Sequence, residues 1–224
     1  MTPTESAIVR DPMSRPANGT SPAPAPAPVA APGTHIADPG PLGLAGFAAT
    51  TFVLSLFNAG MVGNPKLEAV VLPFALLYGG IAQLLAGMWE FKKNNTFGAV
   101  AFTSYGAFWI SLFYYIKFVA PTLPPADAHT ATGIFLLTWT IFTVYMTIAS
   151  IKTNAVLTIV FATLLVAFAL LTLGAFNPDT TSLTHAGGYI GIVVAFLAWY
   201  ASAAAVVNST WGRAVLPLFP ARKS

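Results

Sequence analysis

The chain has 224 residues, 56% of them hydrophobic and only 8% charged, with a mean hydropathy of +0.72. Soluble domains carry roughly a quarter charged residues, so this chain lacks the polar groups to face water all round and must turn most of its surface to lipid. Cysteine is absent, which excludes disulfides, thiolate nucleophiles and Cys-ligated metals; the net charge of +3 reads as a juxtamembrane excess of Lys and Arg, not a nucleic-acid footprint.

Residues 1–37 form a Pro/Ala-rich segment with PAPAPAP at Pro22 to Pro28. It has too little apolar surface to offset its ordering entropy, so it is expected to be disordered, locally polyproline II, and reads as a spacer, with recognition by a partner as the alternative. It contains no apolar run of secretory-signal length. The rest divides into a membrane domain over 38–212 and a short basic tail over 213–224.

The membrane domain opens with DPGPLGLAGFAATTFVLSLFNAG, Asp38 to Gly60. Gly43, Gly46, Phe47, Thr50, Leu54 and Asn58 recur at intervals of three and four and so share one helical face. That face mixes small, aromatic and hydroxyl side chains where a lipid-facing stripe would be plain Leu, Ile and Val, and it reads as the wall of a pathway. Five further apolar segments follow, and the six run over about 43–59, 67–91, 97–120, 131–150, 153–176 and 184–208. Each is close to the length that crosses about 30 Å of hydrocarbon as a helix. Breakers separate them: Gly63-Asn64-Pro65, Lys92 to Asn95, Pro121 with Pro124-Pro125, Lys152, and Asn177-Pro178.

With six spans, Arg10, Arg15, Lys92, Lys93, Lys152, Arg213, Arg222 and Lys223 share one side of the membrane, while Lys66 and Lys117 lie on the other. The positive-inside rule then puts both termini in the cytoplasm. The expected fold class is an all-α integral membrane protein, a six-helix transmembrane bundle.

No Asp, Lys or Arg falls mid-span, which argues against a carboxylate-relay pump or a Schiff-base lysine. Glu90 is the acid within a span. It reads either as an interfacial carboxylate paired with Lys92 and Lys93 or as a group at the cytoplasmic mouth. Gly80, Gln83 and Gly87 share a face of span two. A Gln in hydrocarbon must find a partner, so Gln83 is either helix–helix glue or a pore-lining donor. Phe102, Tyr105 and Trp109 stack on one face of span three beside Thr103 and Ser104, a pattern that fits bundle packing or a site. Gly187 and Gly191 form a GxxxG read as close helix packing. His35, His129 and His185 are scattered without metal-ligand spacing, no Ser or Thr has an adjacent base, and no phosphate-binding loop occurs. No enzyme, metal or cofactor is expected.

Three blocks, DPGPLGLAGF, YGGIAQLLAGMWEFKKNNTFG and FTSYGAFW, resemble the signatures of the acetate uptake transporter family, the bacterial acetate–succinate permeases of the YaaH type. The resemblance runs over about 38–219 and includes the closing GRAVLP at Gly212 to Pro217. It implies six helices per subunit, a homo-hexamer in a bacterial inner (plasma) membrane, and passage of acetate or another small monocarboxylate, with succinate in some relatives. It also implies a narrow hydrophobic constriction built from Phe47, Tyr105 and a span-five leucine that counting places at Leu164. Two departures stand out. Asp38 and Gly40 replace the family's Asn and Ala, which gives the helix a good N-cap yet sets a negative charge where a carboxylate would pass; Asn94 replaces a Gly in the turn.

A carboxylate crossing hydrocarbon needs its charge solvated. The expectation is that Thr50, Asn58, Gln83, Thr103 and Ser104 relay it, that Phe47, Tyr105 and Leu164 select for small size, and that Asp38 and Glu90 mark the cytoplasmic mouth. Proton coupling is left open. The competing readings are a non-transporting assembly or sensing subunit and a channel for another small solute such as ammonium.

Overall fold

The computed structural model describes residues 36–221. Most of the Pro/Ala-rich segment expected to be disordered, with His35, Arg10 and Arg15, lies outside the described residues, as do Arg222 and Lys223 at the far end.

Among the described residues, six helices have the length and hydropathy to cross a membrane: α1 Gly40–Asn58, α2 Pro65–Lys92, α3 Thr96–Thr122, α4 Pro125–Ser150, α5 Ala155–Phe176 and α6 Thr181–Trp211. At 1.5 Å per residue even α1, with 19 residues, reaches about 28 Å. The segments come in the expected order, but most helices run past the apolar stretches that announced them. The largest difference is α4, which begins at Pro125, six residues before the apolar run. Proline suits a first helical position because its missing N–H needs no partner there, and Asp127 in the first turn complements the helix dipole. Polar residues of that turn therefore hid the start from a hydropathy reading.

Each helix packs chiefly on its neighbours in sequence, and α6 returns along α1 to close the bundle. Without a hydrophobic drive between helices in lipid, close approach depends on small side chains. Glycine supplies them at each tight contact. Gly188 and Gly191 of α6 lie on the backbone of Asn58–Ala59 and on Ser55 of α1; Gly46 of α1 lies on the Tyr78 carbonyl of α2; Gly87 of α2 lies on Thr103 of α3. Gly187, the other half of the GxxxG, instead faces Leu171 of α5. The backbones of α3 and α4 stay mostly apart. Aromatic side chains fill that seam, with Tyr105 against Phe142 (5.1 Å between ring centroids) and Tyr115 stacked on Phe135 (5.7 Å). Large apolar residues such as Leu77, Ile141, Ile148 and Phe196 face outward, as a bilayer-embedded surface requires.

Two helices are irregular. α2 starts as a 3₁₀ turn (Pro65–Val70), winds as a π-helix over Phe74–Ala82 and becomes regular from Gln83. α3 ends in a π-turn over Tyr115–Val119. The π-segment of α2 is contacted from α1, where the Thr50 hydroxyl lies 2.8 Å from the Gly46 carbonyl and 3.3 Å from that of Phe74.

The chain leaves α6 through Gly212, whose φ of +63° is the left-handed cap that glycine takes readily. It then folds back across the end of the bundle. The Asn208 side chain accepts from the Val215 and Leu216 amides (2.7 and 2.9 Å) and donates to the Leu216 carbonyl (2.8 Å). Farther along, the Phe219 carbonyl accepts from the Ala155 amide and the Ala221 amide donates to the Thr153 carbonyl, both at 3.0 Å.

Candidate functional site

Two cavities enter the bundle from opposite ends. The first, about 180 Å³, opens at the end carrying the start of α1, the end of α2 and the C-terminal segment, and Asp38, Glu90, Asn95, Asn154 and Leu218 lie on its wall. The second, about 570 Å³, opens at the other end past Asn58, Glu68, His129 and His185. Phe47 and Leu164 line both cavities, so the two meet at these side chains. Tyr105 lies on the wall of the first. All three are buried, and the Phe47 and Tyr105 rings sit 5.8 Å apart at an interplanar angle of 56°. The structure thus brings together Phe47 of α1, Tyr105 of α3 and Leu164 of α5, three helices distant in sequence.

Tyr105 is held on several sides. Phe142, Trp139 and Phe161 surround its ring at 5.1, 6.2 and 6.1 Å. Its hydroxyl is 2.9 Å from the Thr143 hydroxyl, which donates to the Trp139 carbonyl at 2.7 Å. Thr143 therefore serves as acceptor for the tyrosine proton, and the Tyr105 hydroxyl is tied to α4.

Of the polar residues expected along the route, the structure brings two to a cavity. Gln83, 1% exposed, lines the first cavity and its Oε1 has no partner in the protein; Asn58 lines the second. The other three lie on neither wall. Thr50 is turned toward α2, where its hydroxyl meets the π-helix and packs on Gly79. Thr103 is pressed against Gly87 at the α2–α3 contact, and Ser104 is half-buried beside it. A shared helical face can be divided among several neighbours, and here the small and hydroxyl residues Gly43, Gly46 and Thr50 pack against α2 and α3 while Phe47, Leu54 and Asn58 border a cavity.

At the mouth of the first cavity the acids are paired differently from expectation. Lys93 donates to Asp38 at 2.8 Å, the one ion pair among the described residues. Glu90 is buried and takes its hydrogen bond from the Asn95 amide at 2.8 Å rather than from a lysine. Asn95 also caps α3, accepting from the Gly98 amide at 3.2 Å. Glu90 is therefore held over the start of α3, where the helix dipole favours a negative charge, and Gly98 leaves room for it. Asp38, expected as the N-cap of α1, sits one residue before that position: the N-cap is Pro39, and Asp38 accepts from the Gly40 amide at 3.2 Å. Asn94 adopts φ +59°, a left-handed conformation that Asn tolerates better than most residues.

Three features of the site were not legible. Leu218 reaches the first cavity from a Pro-interrupted apolar segment after the last helix, too short to mark a span. Thr51 and Trp109 line the second cavity, and neither the Thr51 hydroxyl nor the Trp109 indole N–H has a partner in the protein. Thr51 sits next to Thr50 in a pattern that favoured the latter, and Trp109 was one member of an aromatic stripe. Among the described residues no group of His, Asp and Glu could hold a metal ion.

Comparison with known proteins gives a consistent result. The chain is 42% identical over 187 residues to the succinate-acetate/proton symporter SatP of Escherichia coli K12, spanning 83% of this chain and 96% of that protein. It is 36% identical over 198 residues to acetate permease A of Emericella nidulans, spanning 81% and 65%. It is 40% identical over 183 residues to ammonia transport outward protein 2 of Saccharomyces cerevisiae, spanning 80% and 64%. A solved structure of the bacterial acetate channel SatP superposes with a TM-score of 0.74 at 40% identity, covering 82% of this chain and 99% of that one. The model of the GPR1/FUN34/yaaH family matches residues 20–221, and the chain belongs to that family.

Proposed function

We propose that this chain carries acetate and related small carboxylates, succinate among them, across a membrane through a route within each subunit. The observation that carries the proposal is the meeting of two oppositely directed cavities at Phe47 and Leu164, beside Tyr105. An apolar waist between wider vestibules lets the methyl end of acetate pass against hydrocarbon. Gln83 on one side and Asn58 on the other offer amides that replace water around the carboxylate. The names of the E. coli, Emericella and solved relatives support acetate as cargo, and the E. coli name supports succinate and proton coupling.

The test is uptake of labelled acetate and succinate into proteoliposomes, with and without an imposed pH gradient, against protein-free liposomes. Uptake above background is expected. Acceleration by an inwardly directed proton gradient identifies symport, and indifference to it identifies a channel. No uptake under either condition favours a non-transporting assembly or sensing protein. The name of the yeast relative makes ammonium the natural competitor. Acetate flux that ammonium leaves unchanged excludes it from the same route.

The proposal extends to membrane placement and assembly. With both termini cytoplasmic, the Asp38–Lys93 end is the inner mouth and the Asn58–His185 end the outer one. Six copies associate through the outward apolar faces, and native mass spectrometry of the detergent-solubilised chain counts them.

A further inference from the structure

The chain beyond α6, Gly212 to Ala221, forms a strap across the Asp38 end of the bundle. It is fastened on both sides of the first cavity. On α6, Asn208 holds Val215 and Leu216, and the Tyr200 hydroxyl donates to the Pro217 carbonyl at 2.8 Å. At the approach to α5, Phe219 and Ala221 bond to Ala155 and Thr153, so that Asn154 and Pro220 face each other as an antiparallel pair. Leu218 lies between the two fastenings. It lines the cavity together with Ala201 and Ala205 of α6, Leu157 of α5 and Asn154. The strap thus bridges α5 and α6 at the mouth and contributes one apolar side chain to its wall.

Its attachment is rich in hydrogen bonds and poor in burial. No side chain from Gly212 to Ala221 is buried; Leu216, Leu218 and Ala221 are half-buried and Phe219 is exposed. A segment with so little enclosed apolar surface opens at a fraction of the free energy that unfolds the core. The backbone adds a second push. Phe219 is held at φ +52°, a left-handed conformation that a bulky residue takes only under constraint, and the bond from the Ala155 amide to its carbonyl supplies that constraint. Lifting the strap relieves the strain. Gly212 is suited to be the hinge, because glycine turns through left-handed conformations freely and no heavy atom crowds the position of a β-carbon there. The mouth beneath leads to the smaller of the two vestibules, about 180 Å³ against about 570 Å³.

We propose that this strap is a lid on the Asp38-side mouth of the route, seated in the structure and lifted about Gly212 to let the carboxylate through. The inference rests on the transport reading above and adds a moving part to it. Seated, Leu218 narrows the smaller vestibule; lifted, it draws away from Ala201, Ala205 and Leu157 and widens the mouth. A longer acid needs more of that room, so succinate depends on lifting more than acetate does.

The chain has no native cysteine, so one introduced pair can lock the strap. Asn154 and Pro220 form a non-hydrogen-bonded antiparallel pair, whose Cα atoms stand about 4.5 Å apart, within reach of a disulfide. The full-length Asn154→Cys/Pro220→Cys chain is assayed in proteoliposomes oxidised and then reduced, with free thiols counted in each state and the single variants as controls. Because one polypeptide is measured in both states, the lost Asn154 cap of α5 cancels. Oxidation is expected to lower succinate uptake about tenfold and acetate uptake less, and reduction to restore both. Unfastening should act in the opposite sense. Tyr200→Phe removes one hydrogen bond to the strap with little change of shape, and should raise the succinate-to-acetate uptake ratio about two- to fivefold over wild type. Equal flux in the oxidised and reduced states, or a pair that does not oxidise, overturns the lid and leaves the transport reading standing. A wild type that takes up neither acid overturns the transport reading, and the lid with it. Should the double variant fail to fold, Tyr200→Phe decides, and an unchanged ratio overturns the lid.

Discussion

Phe47→Ala is the perturbation that most directly probes the waist. The ring is buried, 5.8 Å from Tyr105, and borders a cavity on each side. Truncating a fully enclosed Phe costs about 3–5 kcal/mol. Here some of the ring's surface faces open space and lacks packing partners to lose, so the cost falls near the lower end, about 3 kcal/mol. The transport consequence is worked from sterics. An acid one branch wider than acetate must displace a packed ring, and such overpacking costs about 1–3 kcal/mol. Relieving that strain multiplies the flux of the wider acid about five- to 150-fold relative to acetate. Uptake of labelled isobutyrate, succinate and acetate by the same proteoliposomes gives the ratios, and Phe47→Leu should fall between wild type and Ala. A monodisperse Phe47→Ala protein with all three ratios unchanged refutes the assignment of the waist.

Other substitutions test the surroundings of that waist. Tyr105→Phe should cost about 1 kcal/mol in thermal unfolding, because Thr143 keeps its bond to the Trp139 carbonyl. Thr143→Val should cost more, about 1–3 kcal/mol, because it strands the buried Tyr105 hydroxyl. Gly188→Ala puts a methyl group onto the Asn58–Ala59 backbone, which cannot yield as a side chain would, and should lower stability by about 1–3 kcal/mol or abolish recovery of monodisperse protein. Asp38→Asn breaks the partly exposed pair with Lys93, so stability should change by less than about 1 kcal/mol, while acetate uptake from the Asp38 side should rise at low ionic strength and converge on wild type at high. Because the chain has no cysteine, Asn94→Cys and Asn177→Cys can be labelled singly in intact cells; a membrane-impermeant thiol reagent should reach Asn177→Cys alone if both termini are cytoplasmic.

How much of this the sequence disclosed depended on what kind of question was asked of it. Six spans and their order follow from hydropathy and breakers, because a bilayer admits few alternatives to a long apolar helix. Gly191 does what its GxxxG spacing implies and packs on Ser55, whereas Gly46, read as part of a pathway wall, packs on the Tyr78 carbonyl of α2 instead. Which neighbour each residue meets was not legible. Thr50 and Thr51 differ by one position, about 100° around the helix, and the structure sends one to the carbonyls of α1 and α2 and the other to a cavity. Nothing in their chemistry separates them. The π-segment Phe74–Ala82 compounds the difficulty, since a widened turn shifts the facing of every residue after it, Gln83 included. Leu164 sits in a helix so uniformly apolar that its own pattern marks no face; only the family resemblance singled it out. Leu218 was out of reach because its place depends on Asn208 and Tyr200 fastening a segment with no periodicity of its own.

The two ends of the route differ in a way that bears on what a carboxylate meets. On the Asp38 side the acids are already committed, Asp38 to Lys93 and Glu90 to Asn95 at the start of α3. Each negative charge at that mouth is thereby offset locally, and an arriving anion does not face it bare. Beyond Phe47 and Leu164 the second cavity is lined by Asn58, Thr51 and Trp109, with Glu68 its one carboxylate. Among the described residues no Lys or Arg lines either cavity, and that has a kinetic logic. A lysine or arginine there would hold the carboxylate in a charge-assisted pair, whereas neutral dipoles hold it weakly enough to release it. An Asn58→Lys substitution should accordingly tighten acetate binding and slow its turnover together. Tighter binding with undiminished flux would show that release from this wall does not limit transport.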